Sequence, residues 1–553
     1  MRAAVHLTMY PIGEPFVLFA RESPDMNLRK TLPFVAALAL VGCSSQKTPP
    51  KLTVETAQPV AVPVPAAPAD ATMFGYLKVA DPVALAKSVI GPSVTEMAAA
   101  RNVNLAEIKP GVPLGIFGWD PGHASPVNMP AVALLPIQPT SQLASMLRVN
   151  PAVTLAPLGP DSTVATMGEA GAALATKADA LSAMLQSKTP FDLLVYVNAV
   201  PIMAQYGPQL RAGLQAMGPA LAAASAKQGG LSAKSTMSMF EFLLSSLEQI
   251  KSVTVGARVL ESAFELATIV QDSSTDAGGP LAVADLAGLL PEGDLKMQWN
   301  IRNMRKMADF YLKMYAGFLD EKPELKTQVL ALVEDWTKVG AATETGMSMS
   351  YVAGKGLRVY GIMRVDNGPA AVALMHKAVK LMSTGPIAEA YKTTGLELSL
   401  KLREKVRKVK GWNVDSYTYD FKVVKDDPAL KLVAEKFSGL VYEVAQVGPY
   451  LLYAIGAPVE EVAEALFAGK ATHPMVARKL FPAGGTLYLD MNVPKLWAGL
   501  RAAMPAEAQS KLPTMPDVNE IVSIWGYDGG ATSYYKLQFP KSLVGTLGTM
   551  SRH

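Results

Sequence analysis

The chain has 553 residues, half of them hydrophobic and 18% charged, with a formal net charge of +4. So small a charge excludes the dense basic surface of a nucleic-acid-binding protein, and a single cysteine, Cys43, excludes an intramolecular disulfide. After Cys43 the longest apolar region, 440–459, is interrupted by Glu443, Gly448, Pro449, Gly456 and Pro458. The composition therefore fits a packed core of about two to four domains rather than a membrane span.

Residues 1–25 carry Glu14, Glu22 and Asp25 and read as a gene-model extension, with translation expected to start at Met26. Arg29 and Lys30 then precede the apolar run 32–41, and Leu40-Val41-Gly42-Cys43 closes it. A basic start, an apolar segment and a small residue at the cleavage point form a secretory signal. The run is too short to cross a bilayer, which takes roughly 20 apolar residues. Leu40, Val41, Gly42 and Cys43 resemble the lipobox of bacterial lipoproteins. The resemblance implies a signal peptide at 26–42, acylation of Cys43 and, with Ser44 beside it, anchorage in the outer membrane facing the periplasm. Residues 43–72, with prolines at 49, 50, 59, 63, 65 and 68, read as the acylated cysteine and a Pro/Ala-rich tether.

A local pattern then recurs: a proline, a small or acidic pair, an alternating strand, and an Asx near a helix start. It occurs at Pro68 with strand 73–79 and Asp81-Pro82, and at Pro190 with strand 193–197, Asn198 and Pro201. It returns at Pro291 with strand 295–299 and Asn300, and at Pro482 with strand 486–491, Asn492 and Pro494. Asx side chains cap free helical amides and proline suits the first turn, so the pattern marks strand-to-helix joints. Each joint is followed by a hairpin: 115–119 with 131–137, 252–259 with 263–270, 347–352 with 357–365, and 521–527 with 533–539. Strands at 162–167 and 450–455, with helices at 170–185 and 459–467, lie between copies. The expected fold is α+β, a tandem duplication of an antiparallel-sheet domain with helices packed on one face. Its halves are 73–290 and 291–540, followed by a tail at 541–553.

The second half adds a long hairpin at 396–424. Its cluster Lys401, Arg403, Lys405 and Arg407, continued by Lys408 and Lys410, is either a surface for anionic groups or a solvated strand face that resists edge pairing.

Catalytic signatures are missing. His6, His123, His376, His473 and His553 are too scattered for a histidine metal site. The acidic run Asp272-Ser273-Ser274-Thr275-Asp276 lacks the glycine and glutamate of a calcium loop and reads as a polar loop. No nucleophile elbow occurs, and no cofactor or metal is expected. The surplus is in methionine, 27 residues. Met297, Met304, Met307, Met237 and Met239 would line a groove for a hydrophobic ligand, or would simply fill the core.

The tethered chain, its joints and its missing motifs resemble uncharacterised bacterial envelope proteins of domain-of-unknown-function type, a resemblance that carries no site residues. The leading expectation is a non-enzymatic, lipid-anchored periplasmic protein that binds or scaffolds. A carrier of lipid or another hydrophobic ligand is the alternative, and an unrecognised hydrolase the third. The expected partners are the membrane, through the acyl groups, and a lipid or an envelope protein.

Overall fold

The computed structural model describes residues 48–544 apart from 66, 69, 102, 120–130, 168–174, 229–232, 275–277, 282, 301–303, 340–343, 353–355, 384–387, 389–391, 393–394, 505–508, 511–513 and 516–517. In helices the side chains at 219, 221–228, 233 and 304–307, with a few single positions, are also not described. The expected extension, the signal peptide, the lipobox with Cys43, His123, and residues 545–553 of the tail lie outside the described residues.

Among the described residues eighteen strands form one sheet. The first half of the chain supplies β1 (Met73–Val79), β2 (Leu114–Trp119), β3 (Ala131–Leu135), β4 (Val153–Pro157), β5 (Thr163–Met167), β6 (Leu193–Asn198), β7 (Ile250–Val259) and β8 (Ala263–Asp272). The second half supplies β9 (Leu295–Asn300), β10 (Glu344–Val352), β11 (Gly356–Arg364), β12 (Leu396–Val409), β13 (Trp412–Val423), β14 (Val441–Val447), β15 (Tyr450–Ile455), β16 (Leu487–Asn492), β17 (Ile521–Asp528) and β18 (Thr532–Pro540). Every pairing is antiparallel, and the two halves share the sheet through β8 and β18, in register from Thr532–Gln271 to Pro540–Ala263. Outward from this seam the first half runs β8, β7, β6, β1, β2, β3, β5, β4. The second runs β18, β17, β16, β9, β10, β11, β15, β14, with the hairpin β13–β12 added outside.

The joints work in two ways. Asp81 accepts from the amides of Val83 and Ala84 at 3.0 and 2.9 Å, and Asn492 from Lys495 at 3.1 Å, as helix caps. Asn198 and Asn300 instead donate to neighbouring backbone, to the carbonyls of Met73 and Gly485. These contacts fasten strand ends.

Paired residues of an antiparallel sheet point to the same face and neighbours along a strand to opposite faces, so two faces can be followed across all the strands. One face, here the helical face, carries the long helices Ala199–Gln228, Ala233–Glu248, Pro323–Lys338, Gly368–Ser383 and Val493–Ala503. The other carries the short helices Ala178–Gln186, Leu286–Leu289, Glu460–Ala468 and Val476–Leu480. The expectation of helices on one face is therefore corrected: they cover both. β15 shows why, since all six of its residues are buried and it has no solvent side.

Residues 48–64 lie against this second face, the strap face. Leu52 joins a buried cluster with Leu286, Leu452 and Val462, and Val60 and Val62 pack on another. This part of the expected tether is docked on the body.

Candidate functional site

The helical face is apolar from one half to the other. The cross-strand row Ala257, Leu266, Leu537, Ile524, Leu489, Met297, Met347 crosses β7, β8, β18, β17, β16, β9 and β10. Beside it run Phe264 and Phe539, whose rings lie 5.6 Å apart, then Val522, Met491 and Leu295. The covering helices stand to either side of the seam. Ala199–Gln228 and Ala233–Glu248 pack on β7, the former also on β1 with Tyr206 against Phe74 at 6.1 Å. Val493–Ala503 packs on β10 and β16, with Gly499 against Tyr351. Between them Phe264, Leu266, Leu537 and Phe539 stay only half-buried, Ile524 and Leu489 are half-buried against the cluster of Met297, Met347 and Val339, and Val255 next to them is 43% exposed. Full burial of an exposed side chain of this kind is worth about 1.5–3 kcal/mol, and up to about a third of that remains at each of these, so a ligand covering several gains roughly 1–3 kcal/mol. At one end of the row the Lys541 ammonium stands 5.6 Å from the Phe264 ring centroid.

The strap face is the reverse. Its row of Glu265, Gln538, Ser523, Asp490, Lys296 and Ser348 is polar, and all but Gln538 are buried. Each buried group has work within the fold. The Asp490 carboxylate accepts from the amides of Val476 and Ala477, at 2.5 and 2.9 Å, and from the Ser523 hydroxyl at 2.6 Å. Lys296 donates to the carbonyls of Ala287, Leu290 and His473 at 3.3, 3.2 and 2.8 Å. Burial pushes its ammonium down to about 8 and pushes the Asp490 carboxyl up. Ser348 donates to the Pro291 carbonyl at 2.8 Å, and Glu265 lies 3.4 Å from Lys536. These contacts fasten short helices and turns, leaving a row whose hydrogen-bonding capacity is spent internally.

The residues singled out from sequence fall in several places. Met297 is buried between Met347 and Leu489 on the sheet. Met237 lies at the crossing of two helices, its sulfur 3.8 Å from where a Cβ on Gly218 would stand, and Met239 is half-buried on the same helix. Met304 and Met307 sit on the helix Met304–Met314, with side chains outside the described residues. The open row instead uses Leu266, Leu537 and Ile524, which carried only an alternating strand signal.

The basic cluster is divided. Arg407 is gripped by two carboxylates: Nη1 and Nη2 donate to Glu443 at 2.6 and 2.5 Å, Nε and Nη2 to Glu460 at 2.6 and 2.5 Å. These forks hold the Arg407 guanidinium protonated and the Glu460 carboxyl below its usual range. Lys401 lies 3.4 Å from Asp420. At Lys405 the backbone has φ 54°, its amide donates to Asp415 at 2.7 Å, and strand register breaks between Arg403 and Arg407. Arg403 is exposed.

The same break brings one histidine, His376, to two carboxylates. His376 Nε2 lies 3.4 Å from Asp415 Oδ2, and Nδ1 lies 4.0 Å from Glu404. Burial pushes the Asp415 carboxyl up to about 6. Asp272 ends β8 and accepts from the Ser274 amide at 2.7 Å, a local turn contact; Thr275 and Asp276 lie outside the described residues. Among the described residues no three His, Cys, Asp or Glu side chains are grouped as metal ligands, and no helix is long and apolar enough to cross a membrane. Comparison with protein-family models, with curated proteins and with solved structures finds no match to this chain.

Proposed function

We propose that this chain is a lipid-anchored binding protein of the bacterial envelope, held at the outer membrane through Cys43 and facing the periplasm. Its ligand is a lipid or another hydrophobic molecule seated on the helical face, across the β8–β18 seam. The supporting observation is an inversion: polar groups are buried on one face while Phe264, Leu266, Leu537, Phe539 and Ile524 on the other are left half-covered. A folding chain gains by burying the second set first, so a surface kept in this state is suited to a ligand that completes it. A scaffolding role shares the anchor but gives no account of this row.

We infer further that the two halves are copies of one ancestral unit. Both follow the same strand order outward from the seam, and the second differs by the added hairpin β12–β13. On this reading the ligand site lies where the two copies meet.

Extraction of lipids from the chain beginning at Ser44, secreted without an acyl group, tests the binding role. A co-purified lipid at near one-to-one ratio, lost in Leu537→Arg, is the expected result. Equal, lipid-free mass spectra for both proteins would remove this reading.

A further inference from the structure

We propose that residues 48–64 act as a docked strap that holds the β14–β15 end of the sheet against the anionic headgroups of the bilayer carrying the anchor. The proposal rests on acylation of Cys43 and adds an orientation to it. If residues 43–72 hung free, about 29 residues could let the body wander roughly 100 Å from the membrane. The strap is fastened along its length instead. Pro49 lies so close to Gly448 that a Cβ there would stand 2.9 Å from its ring, and Pro50 meets Gly469 in the same way at 3.1 Å. Both glycines have positive φ, 58° and 65°, so the turns they make also leave room for the two prolines. Leu52 is 8% exposed, Val54 forms an antiparallel bridge with Ala284, and the Glu55 amide donates to the Val283 carbonyl at 3.4 Å.

The strap also carries an ion pair at Glu55. Its carboxylate accepts from Arg478 Nη2 at 2.5 Å. The Arg478 side chain is only 3% exposed, lies over the Tyr488 ring at 5.0 Å, and has Asp285 3.8 Å from Nε. Among the described residues Nε and Nη1 have no hydrogen-bond partner. An arginine buried in this way relies on the charges of Glu55 and Asp285, because a buried cation without its partners is costly, and Glu55 is the one supplied by the strap.

With the strap docked from Thr48, only five residue steps separate the body from Cys43, about 18 Å when fully extended. The end of the molecule beside Pro49 and Pro50 is therefore the end nearest the lipid. Exposed there are Lys51 on the strap, Lys470 after Gly469, and Lys410 in the β12–β13 turn, which the registers of β13, β14 and β15 place at the same sheet end. Asp366, after β11, is an exposed acid at this end. Lysines this near an anionic surface are each worth about 1 kcal/mol of attraction.

The test uses the full acylated chain in vesicles of phosphatidylethanolamine and phosphatidylglycerol. Because Cys43 is the only cysteine, one introduced thiol takes the only label. A fluorophore at Lys470→Cys is expected to be quenched several-fold more by headgroup nitroxides than one at Val441→Cys, about 20 Å away along β14. Glu55→Gln combined with Leu52→Ser is expected to bring the two towards equality. Equal quenching with the strap intact, or a ratio unchanged by its release, overturns the proposal. A chain whose N-terminal mass shows no acyl group on Cys43 removes the anchor and the orientation together, and is read before any fluorescence.

Discussion

Asp490 and Asp415 are buried carboxylates on opposite faces of one sheet, and their surroundings differ. Asp490, on the strap face, accepts from two backbone amides and a serine hydroxyl. Asp415, on the helical face, accepts one amide from Lys405 and has His376 at 3.4 Å from its other oxygen. The faces as a whole follow the same division. On the strap face, polar groups are buried because the short helices and turns need partners for their ends. On the helical face the row is apolar, and over the seam it stays half-covered. Burial alone does not distinguish a structural surface from a binding one. The informative quantity is how much of each group's bonding or burial is already satisfied within the chain.

The largest effect is expected from breaking the satisfied side. Asp490→Ala leaves two backbone amides and a hydroxyl without their acceptor in a buried site. Unfolding by urea should show a loss of about 3 kcal/mol, and a loss below about 1 kcal/mol would mean that water replaces the carboxylate. Replacement of the less satisfied partner should act in the opposite direction. Burial pushes the Asp415 carboxyl up to about 6 in the folded chain, against about 3.9 unfolded. Its folded form holds the proton more tightly, so its contribution to stability is complete below about pH 4 and is lost as pH rises through 6. Asp415→Asn keeps an oxygen for the Lys405 amide and carries no charge to desolvate. It should stabilise the fold at pH 7 by about 1–2 kcal/mol and flatten its pH dependence between 4 and 7. Melting curves for both proteins at pH 4 and pH 7 check this, and a variant less stable at pH 7 would contradict it.

How much of this was legible beforehand depended on the range of the interaction. The hairpins β2–β3, β7–β8, β10–β11, β12–β13 and β17–β18 follow from local alternation and turn residues, and the caps Asp81 and Asn492 from their spacing to Pro82 and Pro494. β4 ends at Pro157 and is only half-buried or exposed, so its alternation is weak. β14 is hidden in the apolar region 440–459, where Glu443 reads as an interruption rather than as the partner of Arg407, 36 residues away. The β8–β18 pairing joins segments more than 250 residues apart and leaves no local mark. The methionine surplus pointed to apolar adaptability, yet the half-covered row is made of Leu, Ile and Phe. Nothing in an alternating strand tells which of its neighbours will be a helix and which will be left open.

The smallest stability effect carries the sharpest functional consequence. Leu537 stands at the seam, in register with Leu266 on one side and Ile524 on the other, and is only half-buried. Leu537→Ser removes apolar area that is already partly in water, so its cost to folding should stay near 1 kcal/mol, well under the 2–5 kcal/mol of a truncated core leucine. If the row is a ligand surface, the same change should reduce retained lipid by about tenfold or more, because a hydroxyl is placed where an acyl chain would lie and is given no partner. Leu452→Ser is the matched control: its side chain is fully buried within β15, against Leu286 and Val462. It should cost about 2–3 kcal/mol while leaving lipid per folded molecule unchanged. A seam leucine that behaves like Leu452 would make the helical face an imperfectly packed core. Opposite responses, one in ligand and the other in stability, would separate the two kinds of surface within a single sheet.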